Sequence, residues 1–222
     1  MANNRIGYCE FVMKRIHTIG HSNIGVDEFL HLLLLHNINC IIDVRSVPAS
    51  AYTPQFNKEP LKIFLKKHNI TYVHFGEEFG ARRTDCLIDG QVNFEQAVQT
   101  EKFLLGYSRI NNAIDLNYNL SLMCSEANPL ECHRFSLVSR YFHEHDFDVC
   151  HILKDGNIKT HQELENEMIN TYLNSRLNKL REIETNLFGE MYTAEQQRVD
   201  AYRIKNKEIG YCINEYEYEN QF

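Results

Sequence analysis

Five side chains that could do chemistry lie within one short segment, residues 120–134. They are Cys124, Glu126, Cys132, His133 and Arg134. A thiolate can act as a nucleophile, a carboxylate can act as a general base, and a guanidinium can bind an anion. The segment begins as an apolar strand and ends as the first turn of a helix, where backbone N–H groups also favour anions. The sequence therefore predicts a site at this strand-to-helix connection.

Polar side chains also follow the earlier predicted strands. They are His21, Ser22 and Asn23 after strand 15–20, Asp43 and Arg45 at the end of strand 39–44, and Arg82 in the long loop after strand 71–75. The carboxyl ends of parallel strands share one edge of a sheet, and ligands bind at that edge. We therefore expect these side chains to meet the 120–134 segment there.

We assign two roles within this predicted site. The catalytic candidates are Cys124, Glu126 and His21. The substrate-binding candidates are Ser22, Asn23, Asp43, Arg45, Arg82, Cys132, His133 and Arg134.

Each central assignment has a structural alternative. Cys124 is either a nucleophile whose pKa is lowered by nearby arginines or a small apolar side chain that closes a strand. Glu126 is either a general base or an acid that caps a helix. Arg134 either binds an anion or pairs with Asp43 or Glu126 as scaffold. Asp43 and Arg45 either serve a ligand or form a structural pair, and His21 either takes part in acid–base chemistry or stabilises a turn.

Two cysteines and a histidine in one segment also raise the question of zinc. Seven residues separate Cys124 from Cys132, and this spacing matches no common zinc motif. We therefore expect no metal at this segment, and no motif identifies another cofactor.

The pattern of elements predicts an α/β fold for residues 15–155. About five strands, several of them continuously apolar, alternate with helices. This order indicates a mostly parallel, Rossmann-like sheet with helices on both faces. The predicted strands are 15–20, 39–44, 71–75, 120–124 and 148–153, and the predicted helices are 26–36, 57–68, 94–116 with a break near Thr100, and 130–145.

Residues 160–222 form a predicted helical extension. Apolar residues recur at helical spacing from Ile169 to Leu187, and Gly189 can end that helix. Thr193 and Gln196 have the spacing of a capping box that starts a second helix. We interpret the region as a helical hairpin and expect it to support a homodimer.

Composition and charge narrow the class of protein. The chain has 222 residues, 43% hydrophobic content and a formal net charge of −7, and residues 160–222 carry twelve acidic but only seven basic side chains. This balance excludes a basic surface for duplex nucleic acid at whole-chain level but leaves room for a local basic pocket. Seven unpatterned cysteines, an N-terminus without a signal-peptide core, and no apolar run long enough for a bilayer predict a cytoplasmic protein without a membrane span.

Four motifs in order resemble the family called domain of unknown function 488. They are Thr18-Ile-Gly-His-Ser-Asn23, Asp43-Val-Arg45 with Pro48 and Ser50, Pro54-Gln-Phe-Asn57, and Met123-Cys-x-Glu-x-x-Pro-x-x-Cys-His-Arg134. The resemblance covers roughly residues 16–153, and it implies a fold and a site but no reaction. The segment Glu78-Phe-Gly-Ala81 departs from the Leu-Gly-Gly that is usual in the family. A looser similarity to rhodanese-like domains is weakened because Arg134 lies ten residues after Cys124.

Two functional hypotheses follow. The first is an enzyme that acts on an anionic substrate, such as a nucleotide or a nucleic-acid end, with Cys124 or Glu126 as the reactive group. The second is a non-catalytic module that binds a phosphate-bearing ligand in the same pocket and oligomerises through its helical tail.

Overall fold

The structure is a computed structural model, which describes residues 13–174 and 193–213. Its strands in chain order are β1 (Lys14–Gly20), β2 (Cys40–Asp43), β3 (Thr71–His74), β4 (Leu87–Ile88), β5 (Gln91–Val92), β6 (Leu120–Cys124), β7 (Phe147–Ile152) and β8 (Ile158–Thr160). Within the described ranges, six of them form one sheet in the order β3-β2-β6-β1-β7-β8. All neighbours in this sheet are parallel except β7 and β8. The predicted α/β fold with a mostly parallel sheet is confirmed.

Helices fill the connections between the strands. They are α1 (Val26–Leu35), α2 (Lys58–Lys67), α3 (Gly76–Phe79), α4 (Phe94–Ala97), α5 (Glu101–Asp115), α6 (Arg140–Glu144), α7 (His161–Asn174) and α8 (Ala194–Ile209). A π-helical segment, Arg134–Ser139, runs directly into α6, and all six of its residues are buried. Segments of this type occur often at functional sites. The break near Thr100 is confirmed, since the Thr100 side chain caps the start of α5.

The two faces of the sheet carry separate apolar cores. On one face, Ile41 and Met123 belong to a cluster with buried residues of α1 and α2. On the other face, Ile42 and Leu122 belong to a cluster with residues of α5, the π-helical segment and α6. Neighbouring residues of one strand point to opposite faces, so both cores require apolar side chains. This explains why β2 and β6 are apolar without alternation and fully buried.

The described C-terminal helices pack on the same chain. Phe135 of the π-helical segment joins Leu164 and Met168 of α7 and Tyr202 of α8 in a third apolar cluster. The predicted capping box is confirmed: Thr193 Oγ1 accepts from the Gln196 amide, and the Gln196 side chain accepts from the Thr193 amide. Most of the predicted apolar stripe, from Leu177 to Leu187, and Gly189 lie outside the described residues. The dimer through these helices stays a prediction.

Two features differ from the expected elements. β8 adds a sixth, antiparallel strand, which its exposed Ile-Lys-Thr sequence did not indicate. The expected long loop after β3 instead contains α3 and the β4–β5 hairpin, which turns at Asp89 and Gly90 with positive φ angles. Among residues 13–174 and 193–213, no helix has the length and apolar composition needed to cross a bilayer.

Candidate functional site

The turns after β1 and β2 are held against β6 by backbone hydrogen bonds. The amide of His21 donates to the Cys124 carbonyl at 3.0 Å, and the amide of Ser22 donates to the Ser125 carbonyl at 2.8 Å. On the other side of β6, the Val44 amide donates to the Met123 carbonyl at 3.0 Å. These bonds continue the backbone hydrogen bonding of the sheet past the ends of the strands. The segments that follow β1, β2 and β6 therefore lie side by side at the carboxyl edge of the sheet.

Four reactive side chains converge at this position. Oε2 of Glu126 lies 3.0 Å from the Sγ atoms of both Cys124 and Cys132. Nδ1 of His133 lies 3.7 Å from Cys124 Sγ and 3.9 Å from Cys132 Sγ. The two cysteines and His133 are buried, whereas Glu126 is exposed. We call these four residues the thiol–carboxylate cluster, and Glu126 is its solvent-facing member.

The orientation of the His133 ring follows from one hydrogen bond. Its Nε2 lies 3.1 Å from the backbone carbonyl oxygen of Val44. A carbonyl can only accept, so Nε2 carries a proton and donates it. The other ring nitrogen, Nδ1, therefore faces the two sulfur atoms. Whether Nδ1 holds a proton of its own depends on the charge of the thiols beside it.

The two thiols differ in acidity because their surroundings differ. Burial and the neighbouring Cys132 sulfur raise the pKa of Cys124 well above its ordinary value. Burial also acts against the Cys132 thiolate, but hydrogen bonding with Cys124 and the nearby Arg134 charge outweigh it, so the pKa of Cys132 lies well below normal. Although Glu126 as a whole residue is exposed, its carboxyl group is partly enclosed by the cluster, and this desolvation together with the Cys132 sulfur raises its pKa. Of the two thiols, Cys132 is therefore the one that more readily carries negative charge.

Asp43 and Arg45 form a buried ion pair beside the cluster. Asp43 Oδ2 accepts from Arg45 Nη2 at 2.6 Å, and Oδ1 accepts from Arg45 Nε at 2.9 Å. Arg45 Nη2 also donates to the Phe56 carbonyl, and Nη1 donates to His21 Nε2 at 3.1 Å. Four of the five N–H groups of this guanidinium are thus used within the protein.

His21 is held in one neutral form by this network. Since its Nε2 accepts from Arg45, its Nδ1 carries the proton and donates to the Ser22 carbonyl at 2.8 Å. The ring stacks on Phe56 with centroids 4.2 Å apart. Burial lowers the pKa of His21 to about 4. Both ring nitrogens are occupied, so the geometry favours a positioning role for His21 over proton transfer.

Arg134 is fully buried and pairs with no side-chain carboxylate. Its guanidinium donates to the backbone carbonyls of Glu126 and Ala127. In the described parts of the chain, no acidic side chain lies within ion-pair distance of Arg134, and its Nε has no hydrogen-bond partner. Of the two alternatives for Arg134, the pairing with the side chain of Asp43 or Glu126 is not seen. A positive charge therefore remains next to the thiol–carboxylate cluster without a carboxylate to neutralise it.

The remaining predicted residues lie towards the surface of this edge. Ser22 is half-buried with a positive φ of 46°, and its hydroxyl lies 3.3 Å from Oδ1 of the exposed Asn23. Arg82 is exposed; its amide donates to Ser46 Oγ just after β2, and its guanidinium lies 5.2 Å from the centre of the Tyr211 ring. No hydrogen bond joins any of these three side chains to the thiol–carboxylate cluster.

Sequence reasoning missed two contributors. Tyr72, on β3, donates its hydroxyl to Asp43 Oδ2 at 2.6 Å and thereby completes the shell of that carboxylate. The Val44 carbonyl orients His133, and no sequence pattern marks a backbone acceptor. Tyr72 could have been suspected, because in a parallel sheet residue 72 lies one strand away from residues 41–43.

Comparison with known families identifies the family of this chain. The family model for the domain of unknown function DUF488 matches residues 25–141, more than half of the chain. The chain therefore belongs to the DUF488 family, as its motifs predicted, although the match is shorter than the range 16–153. No curated protein and no solved structure matches the chain. The looser similarity to rhodanese-like domains is not supported by any of these comparisons.

Proposed function

We propose that the protein is an enzyme that acts on an anionic substrate at the carboxyl edge of the sheet, with Glu126 as the group that transfers protons. One observation carries the proposal: Glu126 is the exposed member of a cluster whose other members are buried. A substrate that arrives from solvent meets this carboxylate first. Cys124 is the weaker candidate for the reactive group, because its sulfur is buried and burial raises its pKa.

The preference for an anion is supported by the charges around the site. Arg134 supplies a buried positive charge that no carboxylate neutralises within the described residues. The exposed Arg82 and Asn23 lie on the connections that follow β3 and β1, where they can contact the outer part of a ligand. Because Arg134 is buried in a region of low dielectric constant, its charge attracts anions more strongly than it would in water.

The test is a screen with nucleoside mono-, di- and triphosphates and with short DNA and RNA oligonucleotides. Melting temperature reports binding, and chromatography of the reaction mixture reports turnover. We expect at least one probe to be converted. Glu126→Gln should lower that rate by about 10²-fold or more while the melting temperature changes little.

Glu131→Gln is the matched control. Glu131 is an exposed acid of the same connection, and its carboxylate accepts from Asn128 at 3.1 Å rather than joining the cluster. Its variant should keep full activity. Stabilisation by phosphate-bearing probes without any turnover would replace the proposal with a non-catalytic phosphate-binding module. The absence of any response to every probe would reject both functions.

A further inference from the structure

We propose that Cys124, Cys132 and His133 bind one zinc ion, with Glu126 as the fourth ligand. This inference reverses the expectation from sequence spacing that the segment holds no metal. The metal site would lie at the same place as the proposed active site. The inference nevertheless goes beyond the proposed function, because metal binding does not depend on catalysis. It rests on donor geometry, on the orientation of one ring and on the balance of charge.

The donor atoms are gathered as a tetrahedral site requires. The Sγ atoms of Cys124 and Cys132 and a ring nitrogen of His133 all lie within 4.8 Å of one another. The sulfur–nitrogen distances are 3.7 and 3.9 Å, and the sulfur–oxygen distances to Glu126 are both 3.0 Å. Ideal zinc bonds of about 2.3 Å to sulfur and about 2.1 Å to nitrogen or oxygen give donor separations of about 3.5 to 3.8 Å. The sulfur–nitrogen distances lie within about 0.3 Å of these values, whereas the Glu126 oxygen would have to move away from each sulfur by about 0.6 Å to complete the shell.

The His133 ring is already oriented for a metal. Its Nε2–H donates to the Val44 carbonyl, so its Nδ1 faces the sulfur atoms. Histidine ligands commonly donate the distal N–H to a carbonyl or carboxylate in this way, which fixes both the tautomer and the ring plane. A zinc ion would replace any proton on Nδ1. In addition, the Arg134 amide lies 3.4 Å from Cys132 Sγ and can donate to a thiolate there.

The charges around the cluster balance when a divalent metal is added. Two thiolates and the Glu126 carboxylate carry three negative charges, while a zinc ion carries two positive charges and Arg134 one. The buried Arg134 has no carboxylate partner among residues 13–174 and 193–213, and the metal–thiolate centre supplies the missing negative charge. Buried charges are tolerated when they are paired in this way.

The donor set also selects the class of metal. Thiolate and imidazole ligands favour zinc and similar transition metals, whereas calcium and magnesium require shells of oxygen atoms. Three of the ligands are buried and the fourth, Glu126, is exposed. A water or substrate oxygen can therefore displace the carboxylate from the metal, and the displaced Glu126 would then be free for the proton transfer proposed above.

The first experiment uses the full chain, purified under reducing conditions and freed of metal by a chelator. Zn²⁺ is titrated in, and metal content is measured after removal of the excess. Co²⁺ is used in parallel as an optical probe. We expect one metal per chain, a raised melting temperature, and cobalt spectra with a thiolate-to-metal charge-transfer band and the intense visible bands of tetrahedral geometry. The absence of stoichiometric binding, or octahedral cobalt without the thiolate band, would overturn the proposal.

Variants then assign the ligands. Cys124→Ser, Cys132→Ser and His133→Gln should each weaken Zn²⁺ binding at least tenfold and alter the cobalt spectrum. Cys150→Ser and Cys212→Ser, cysteines outside the cluster, should leave both unchanged. If a ligand variant fails to fold, the wild-type cobalt spectrum still decides whether thiolates bind the metal.

The outcomes for the metal and for the enzyme are distinguishable. Stoichiometric Zn²⁺ binding without turnover of any phosphate-bearing probe would keep the metal site and reject the proposed function. Turnover of a probe by a protein that binds no metal would keep the proposed function and reject the metal site. Formation of a Cys124–Cys132 disulfide in the chelator-treated protein, with no metal uptake after reduction, would also overturn the metal site and indicate a redox pair.

Discussion

Gly20 and Arg134 lie against each other at the carboxyl end of β1, where a Cβ atom added to Gly20 would lie 2.7 Å from Arg134 Nη1. The same atom would also lie 1.8 Å from the backbone oxygen of Glu126. Real Cβ atoms are not found this close to backbone oxygen, so only glycine fits here. The close approach lets Arg134 donate to the Glu126 carbonyl and holds the connection after β6 beside β1.

Gly20→Ala should therefore displace the Glu126 connection and weaken the cluster. We expect a loss of about 2 to 4 kcal/mol in the free energy of unfolding, measured by urea titration, because a backbone segment must move. Gly25→Ala is the control, since a Cβ atom there would meet nothing within 4 Å and φ is −68°. Its effect should stay within about 1 kcal/mol. Equal effects of the two variants would contradict the close-packing argument.

Asp43→Asn should be more destabilising than the loss of an exposed acid. Asp43 and Arg45 are both buried, so the variant leaves a guanidinium without its counter-charge, at a cost of about 3 to 5 kcal/mol. Asp148→Asn is the matched control, because Asp148 pairs with Arg15, whose side chain is 62% exposed. It should cost less than about 1 kcal/mol. Urea titrations of the two variants at one pH make the comparison.

The sheet and its edge could be predicted from the sequence because local patterns encode them. Continuous apolar runs such as 120–124 mark buried parallel strands, and the polar residues after them mark the shared edge. The β4–β5 hairpin also had a local signal, since Asp89-Gly90 is a favoured two-residue turn between short strands. The hairpin was not predicted because β4 and β5 have only two residues each, which is too short to show an alternating pattern.

The side-chain geometry of the site could not be predicted in the same way. Cys124 and Cys132 come together because the chain turns through Pro129–Glu131 before the π-helical segment begins. The common sequence motifs for zinc sites do not include a turn of this kind between two cysteines. For Arg45 the sequence left both ligand binding and pairing with Asp43 open, and the structure shows the pairing, because a buried guanidinium takes the nearest acceptors. Residue types were therefore predictable, but their partners depended on tertiary packing.

Thr193→Ala tests whether the start of α8 contributes to global stability. The Thr193 side chain caps the helix, and its loss should cost about 1 kcal/mol. Because Tyr202 of α8 is buried against Phe135, the loss should appear in the global unfolding transition rather than in a separate one. Thr171→Ala is the control, because that exposed hydroxyl only donates back to its own helix at Glu167. A separate early transition for Thr193→Ala would show that α8 folds independently.

Stability should fall as the pH is lowered from 7.5 to 5.5, and the buried His151 and His161 should contribute to this loss. His151 Nε2 and His161 Nδ1 lie 3.3 Å apart, and His161 Nε2 lies 2.8 Å from the Tyr202 hydroxyl. Burial lowers the pKa of each ring well below normal, and nearby basic side chains lower it further. For His151 these groups are Arg134 and His143; for His161 they are His151, His143, Arg198 and Arg140.

The direction of this change in stability follows from which state, folded or unfolded, takes up the proton. The unfolded chain protonates these histidines near pH 6.5 and the folded chain does not, so their contribution is complete above pH 6.5 and is lost as the pH falls below it. Each histidine should account for about 1.4 kcal/mol of the loss between pH 7.5 and 5.5. His161→Gln should remove its share of that difference, even though the variant is less stable at both values. His31→Gln, at an exposed position of α1, should leave the difference unchanged, and an equal reduction by both variants would contradict the role of burial.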